Sequence, residues 1–232
     1  MSVTFRLRPA FRFERAPRGA RSFVRVGERL LWAIGAVLLA WCLFSYFEAR
    51  AYQERSDQTL LEMRRQDLAP EAQPAASSDA SAVRREVDPS LIGRIEIPRL
   101  GVAAIVREGT DSRTLDLAVG HVEGSALPGE RGNVCLAAHR DTFFRHLKDV
   151  RKGDAIKITT PEDTWYYTVQ RLSVVEPGAV DVLASTGDGE LTLVTCFPFG
   201  YVGPAPRRFI VSASLADFPT PRPSHGPVPP SR

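Results

Sequence analysis

Cysteine is scarce in this 232-residue chain: Cys42, Cys135 and Cys196 are the only three, and histidine occurs four times. With so few thiols, each has to be explained as buried, paired or used. A basic surface is also missing from most of the chain. Residues 48–232 hold 22 basic against 25 acidic side chains, a net charge of −3, which gives no sign of a nucleic-acid-binding face. No internal repeat is present, so a stacked repeat architecture is excluded. Charge of either sign is absent from residues 30–47.

That uncharged stretch, "LLWAIGAVLLAWCLFSYF", has the length of a membrane span: 18 residues at about 1.5 Å each cover about 27 Å. Trp32, Trp41, Tyr46 and Phe47 suit the interfaces or their approaches. A cleaved signal peptide is the competing reading, because "ARA" at residues 49–51 has the small-x-small form. The apolar run is too long for that, and charges crowd the site. Residues 1–29 carry eight arginines against Glu14 and Glu28, a net +6. This excess predicts a retained single-pass anchor with residues 1–29 in the cytoplasm and the remainder outside. Cys42 lies inside the span and reads as a small apolar residue there.

Beyond the anchor, residues 48–88 read as a helical stalk to about Leu68 followed by a flexible linker rich in Ala, Pro, Ser and charge. Residues 217–232 form a proline-rich tail of disordered character, which contains His225. The folded unit is residues 89–216. Its strand-like runs are "LIGRIEIP", "VAAIVRE", "NVCLAAH", "DAIKITT", "TWYYTVQRLSVVE", "DVLAS", "LTLVTCF" and "RRFIVSASL", mostly bounded by Gly, Pro or Asp. Only "DSRTLDLA", with Asp111 as N-cap, and "DTFFRHL" read as short helices. Eight short strands and a small apolar supply predict a mainly β fold closed into a barrel, which leaves no exposed edge.

Two of these runs end on chemistry. "NVCLAAH" finishes at His139 before the polar "RDT", and "LTLVTC" finishes at Cys196 before "FPFG". If the two strands are parallel neighbours, the imidazole and the thiol meet at the same end. Such a pair is a standard route to an activated nucleophile, since imidazolium favours thiolate and thiolate favours imidazolium. Cys135, between Val134 and Leu136, reads as a buried inert thiol. A Cys135–Cys196 disulfide is incompatible with this pairing. Residue 135 lies four positions before His139, about 13 Å back along a strand, beyond the ~7 Å Cα separation a disulfide tolerates. His121 precedes a glycine-rich loop rather than ending an apolar strand and reads as structural. No aspartate stands out as an orienter for His139.

"LTLVTCFPFGYVGPAPRRFIVSA" resembles the signature of sortases, membrane-anchored cysteine transpeptidases of bacterial surfaces. It is similar to the class D type, with its Thr-Cys pair, Pro-Phe turn and Ala-Pro-x-Arg-Phe strand. "ALPGERGNVCLAAHRDTFFRHLKDVRKGD" resembles the family's Pro-Gly-x-x-Gly-Asn strand ending in the catalytic histidine. The resemblance covers residues 91–215 and implies an eight-stranded sortase-type β-barrel with short helices, preceded by the one transmembrane helix. It implies Cys196 as nucleophile, His139 as general acid/base, Arg208 as the oxyanion- or substrate-stabilising group, and Thr195 in a supporting role. Strand alternation alone does not choose between Arg207 and Arg208, because both faces carry apolar residues; the resemblance selects Arg208. Cys135 departs from the pattern, standing where an ordinary apolar residue would serve.

The implied reaction is acyl transfer through a thioacyl-enzyme, needing no metal or cofactor. Its implied partners are surface proteins carrying a sorting motif and an amine acceptor, and its implied location is the bacterial cytoplasmic membrane with the catalytic domain outside. Two alternatives stay open: a hydrolase that releases the cleaved peptide to water, and an anchored β-barrel that binds surface peptides without turnover.

Overall fold

A computed structural model describes residues 18–68, 88–185, 187 and 189–216. The predicted linker from residue 69 to 87, the tail from residue 217 and the segment before residue 18 lie outside the described residues.

Helix α1 runs unbroken over Arg18–Leu68. Its apolar part is the one described helix long and apolar enough to cross a membrane, and none of that window is buried. Residues 48–68 behave differently, because they lie against the folded unit. Leu60 is 2% exposed and Ser56 is buried beside it. The Gln53 amide donates to Leu117 O (2.8 Å) and accepts from Ile105 N–H (2.8 Å). Asp57 pairs with Arg94 at 2.7 Å, and Arg64 Nη1 donates to Thr160 O at 2.9 Å. This part of the helix is therefore fastened to the barrel by side chains spaced along one face.

The strands are β1 (Leu91–Ile97), β2 (Val102–Glu108), β3 (Val119–His121), β4 (Asn133–Ala137), β5 (Ala155–Thr159), β6 (Thr164–Val175), β7 (Glu190–Phe197) and β8 (Arg207–Leu215). They close into a barrel in the order β1-β2-β3-β4-β7-β8-β6-β5. Two neighbouring pairs, β2/β3 and β4/β7, are parallel, and the others are antiparallel. Alternation turns Val134 and Leu136 of β4, Leu191 and Leu193 of β7, and Val211 and Ala213 of β8 into one core with Ile95, Ile97, Ile156, Ile158 and Val169. Each fully buried Leu, Ile or Val contributes about 1.5–3 kcal/mol of transfer free energy, so the inner face fixes the register of every strand.

The predicted count of eight strands holds, with two changes of membership. "DVLAS" is not a strand: Val180–Leu183 is a 3-10 turn, with Val180 71% exposed. Val182 and Leu183 suggest a strand by composition, but they have no ladder to join. The eighth strand is β3, three buried residues around Gly120. A Cβ on Gly120 would lie 2.3 Å from Gly109 O, so only glycine lets the chain pass there. The second short helix is also partly corrected, because "DTFFRHL" forms turns and a 3-10 segment at Arg145–Asp149. Helix α2 (Ser112–Leu117) forms as expected, with the Asp111 carboxylate accepting from Arg113 N–H and Thr114 N–H.

Candidate active site

The site is built from the C-terminal ends of β4 and β7 and the start of β8. In the parallel β4/β7 pair, Ala137 is the partner of Val194. Ala138 N–H continues the pairing by donating to Val194 O (3.2 Å). Carried two residues past this last pair, the register sets His139 level with Cys196. Across the antiparallel β7/β8 pair, Cys196 and Arg208 are direct partners. The thiol and the guanidinium thus share one cross-strand row of β7 and β8, and the extended β4 register leads His139 toward it. Core residues occupy the alternate positions, so this row lies on the barrel face turned away from the core.

Thr195 occupies the opposite face. It is 2% exposed, and its hydroxyl donates to Ala138 O at 2.7 Å. That bond joins the residue before the thiol to the residue before the imidazole. The register also separates the two arginines. Arg207 pairs with Phe197 and is exposed, whereas Arg208 shares the row of Cys196 and is half-buried. Arg208 Nη1 donates to Arg207 O (3.1 Å) and Ala205 O (3.3 Å), which leaves other N–H groups of the fork for a ligand.

One neighbour of His139 has no sequence signal. Asp116 Oδ1, from α2, is 3.6 Å from His139 Nε2. Asp116 is 72% exposed, so water and salt screen this approach. The 23-residue separation and the short intervening strand hide this approach in the sequence.

The other thiol and the other imidazole occur on the same sheet in closed surroundings. Cys135 is fully buried, four residues before His139, and its Sγ–H faces Leu183 O at 3.6 Å and Asn133 O at 3.7 Å. The connection between β6 and β7 covers it, held by Asn133 Nδ2 donating to Leu183 O (3.0 Å). Burial pushes the Cys135 thiol up to about 11, so it stays protonated at neutral pH. His121 is 2% exposed, with Nδ1 at 2.8 Å from Glu108 Oε2 and Nε2 at 3.0 Å from Ala126 O and 2.9 Å from Ser125 Oγ. Both of its ring nitrogens are engaged in holding β3 to its neighbours. All three cysteines are free, so no disulfide competes for Cys196. Among the described residues, no three His, Cys, Asp or Glu side chains cluster as metal ligands would.

Comparison with known proteins points one way. A family model described as the sortase domain matches residues 95–216. Sortase D of Bacillus subtilis is 35% identical over 120 residues, a match spanning 51% of this chain and 61% of that protein. Sortase A of Bacillus anthracis is 26% identical over 195 residues, covering 80% of this chain and 91% of that one. Among solved structures, a sortase D5 transpeptidase of Clostridium perfringens superposes with a TM-score of 0.56 at 29% identity, over 72% of this chain and 99% of that chain. The matched segment runs from within β1 to the end of β8 and contains Cys196, Arg208 and His139. The chain belongs to the sortase family.

Proposed function

We propose that this chain is a membrane-anchored cysteine transpeptidase that cleaves a sorting-signal peptide at Cys196 and passes the acyl group to an amine at the cell surface. The observations that carry this reading are the Cys196/Arg208 cross-strand pair and the parallel β4/β7 register, which extended past Ala137 sets His139 level with Cys196. A nucleophile, a proton carrier and a bidentate hydrogen-bond donor share one open face, while the second thiol on the same strands is sealed.

The Cys196 thiolate attacks the scissile carbonyl carbon, forming the C–S bond and placing negative charge on the carbonyl oxygen. Arg208 donates to that oxygen, and one such donor is worth about 3 kcal/mol of barrier. Collapse breaks the C–N bond as the His139 imidazolium gives its proton to the leaving amine. A second amine then attacks the thioester, His139 takes its proton, and Cys196 leaves as thiolate. Thr195 supports both ends by fixing Ala138 against β7. The clients in this reading are surface proteins bearing a sorting motif. The arginine-rich N-terminal segment lies in the cytoplasm and the barrel outside the membrane.

The test uses the full chain in detergent micelles with an equimolar library of quenched pentapeptides, with and without triglycine. Cleavage accompanied by a triglycine-linked product supports the transpeptidase. Cleavage with a water-derived product alone makes it a hydrolase, and binding without any adduct on Cys196 makes it a peptide-binding module. Protease added to intact cells tests the topology: residues 48–232 are expected to be attacked and the N-terminal segment protected.

A further inference from the structure

The connection from β7 to β8 follows the thiol immediately and delivers Arg208, yet it has little main-chain structure of its own. Residues 198–206, "PFGYVGPAP", include three prolines that lack an N–H. Among the described residues, the one main-chain hydrogen bond within it is Tyr201 N–H to Pro198 O, at 3.3 Å. The rest of its polar fastening comes from two side chains outside it: Arg208 Nη1 donates to Ala205 O (3.3 Å), and Arg140 takes three further carbonyls. Arg140 Nη1 donates to Pro198 O (2.9 Å), and its Nη2 donates to Tyr201 O (2.7 Å) and Gly203 O (3.1 Å). The guanidinium also sits 5.9 Å from the centroid of the Tyr201 ring. Its partners among the described residues are these carbonyls and this ring, with no carboxylate among them.

Arg140 is the residue after His139, Pro198 is the second residue after Cys196, and Gly203 lies five before Arg208. One planar fork therefore bridges the exit of β4, the exit of β7 and the entry to β8. We propose that Arg140 is a positioning residue for the reaction: by clamping residues 198–206 to the end of β4, it sets the spacing of His139, Cys196 and Arg208. The proposal rests on the function proposed above. A lysine cannot replace Arg140, since one ammonium on a flexible stem does not reproduce a rigid fork that reaches three carbonyls. Misplacement of a reacting group by about 1 Å is enough to cost about 100-fold in rate, so loosening this connection reaches the chemistry without touching substrate.

The test compares wild type, Arg140→Ala and Arg140→Lys as full chains in micelles. Three readouts are taken: hydrogen–deuterium exchange of residues 198–206, turnover of the pentapeptide library with triglycine, and iodoacetamide labelling of Cys196 and Cys135 located by mass spectrometry. Both variants are expected to exchange faster at the Tyr201 amide, the hydrogen-bonded N–H of residues 198–206, and to keep wild-type exchange in β1 and β2. Turnover is expected to fall about 10- to 100-fold. Cys196 is expected to label at the wild-type rate or more slowly, because the thiolate is the species alkylated and a displaced His139 stabilises it less, and Cys135 is expected to stay unlabelled. Wild-type exchange and turnover in Arg140→Ala overturn the proposal. So does full rescue by lysine, which assigns the effect to charge, and so does labelling of Cys135, which assigns it to general loosening. A wild type without turnover sinks the proposed function and the catalytic consequence together, while exchange over residues 198–206 still decides the clamp.

Discussion

Strands β4 and β7 carry a thiol and, with β3, an imidazole in two places, and the two places differ in what covers them. At mid-strand, the β6–β7 connection lies over Cys135, and His121 is held by Glu108, Ser125 and Ala126. At the strand ends, Cys196 is half-buried and His139 has a side-chain exposure of 40%, with Asp116 as its polar neighbour. Residue type is the same in both regions. Reactivity depends on whether the thiolate can form and be reached, and on whether the imidazole still has a nitrogen to offer.

The largest effect expected from this contrast is complete loss of acyl-enzyme in Cys196→Ala and His139→Ala, both folded, beside near-normal turnover in Cys135→Ala. Equal loss in Cys135→Ala breaks the comparison. Next in size is Arg208→Ala, for which a lost oxyanion donor predicts about 100-fold slower acylation, with little recovered by Arg208→Lys. Arg207→Ala, on the other face, is the control. It is expected within about 0.5 kcal/mol of wild type in both stability and barrier. If Arg207→Ala is the inactive variant, the β7/β8 register is wrong by one residue.

Smaller effects sharpen the closed side. Thr195→Val keeps shape but leaves Ala138 O without its donor, a loss of about 1–3 kcal/mol read by denaturant unfolding. His121→Ala is expected to lower stability while leaving the rate per folded molecule close to wild type. The smallest effect depends on pH. The Cys135 thiol is raised by burial from 9.0 to about 11 in the folded state. Its contribution to stability is therefore complete below about pH 9 and is lost as pH rises toward 11. Thermal midpoints of wild type are expected to fall more steeply across that window than those of Cys135→Ala. Parallel curves contradict the burial argument.

Much of this arrangement is legible in the sequence because apolar runs that stop at a polar residue mark strand ends, as "NVCLAAH" and "LTLVTC" do. Their parallel pairing is not legible, since it depends on the crossover through β5 and β6. Nor is the choice of Arg208 by parity, because Ile210 and Val211 make both faces of β8 apolar; the cross-strand partner of Cys196 decides it. Strand β3 escapes notice because three residues containing Gly120 show no periodicity. The docking of residues 48–68 is hidden for a related reason. Leu60 and Gln53 are isolated contact residues in a helix otherwise rich in charge, so no stripe announces the face.

The central claim is that alignment with His139 and Arg208, rather than the presence of a thiol on these strands, makes Cys196 the nucleophile. The most direct measurement is the location of the acyl adduct. Full-length wild type is incubated with the pentapeptide library without an amine acceptor, quenched in acid, digested, and mapped by mass spectrometry. The account predicts a thioester-linked mass on the peptide containing Cys196, none on that containing Cys135, and none on either in His139→Ala. An adduct on Cys135, or one on Cys196 that survives unchanged in His139→Ala, contradicts it.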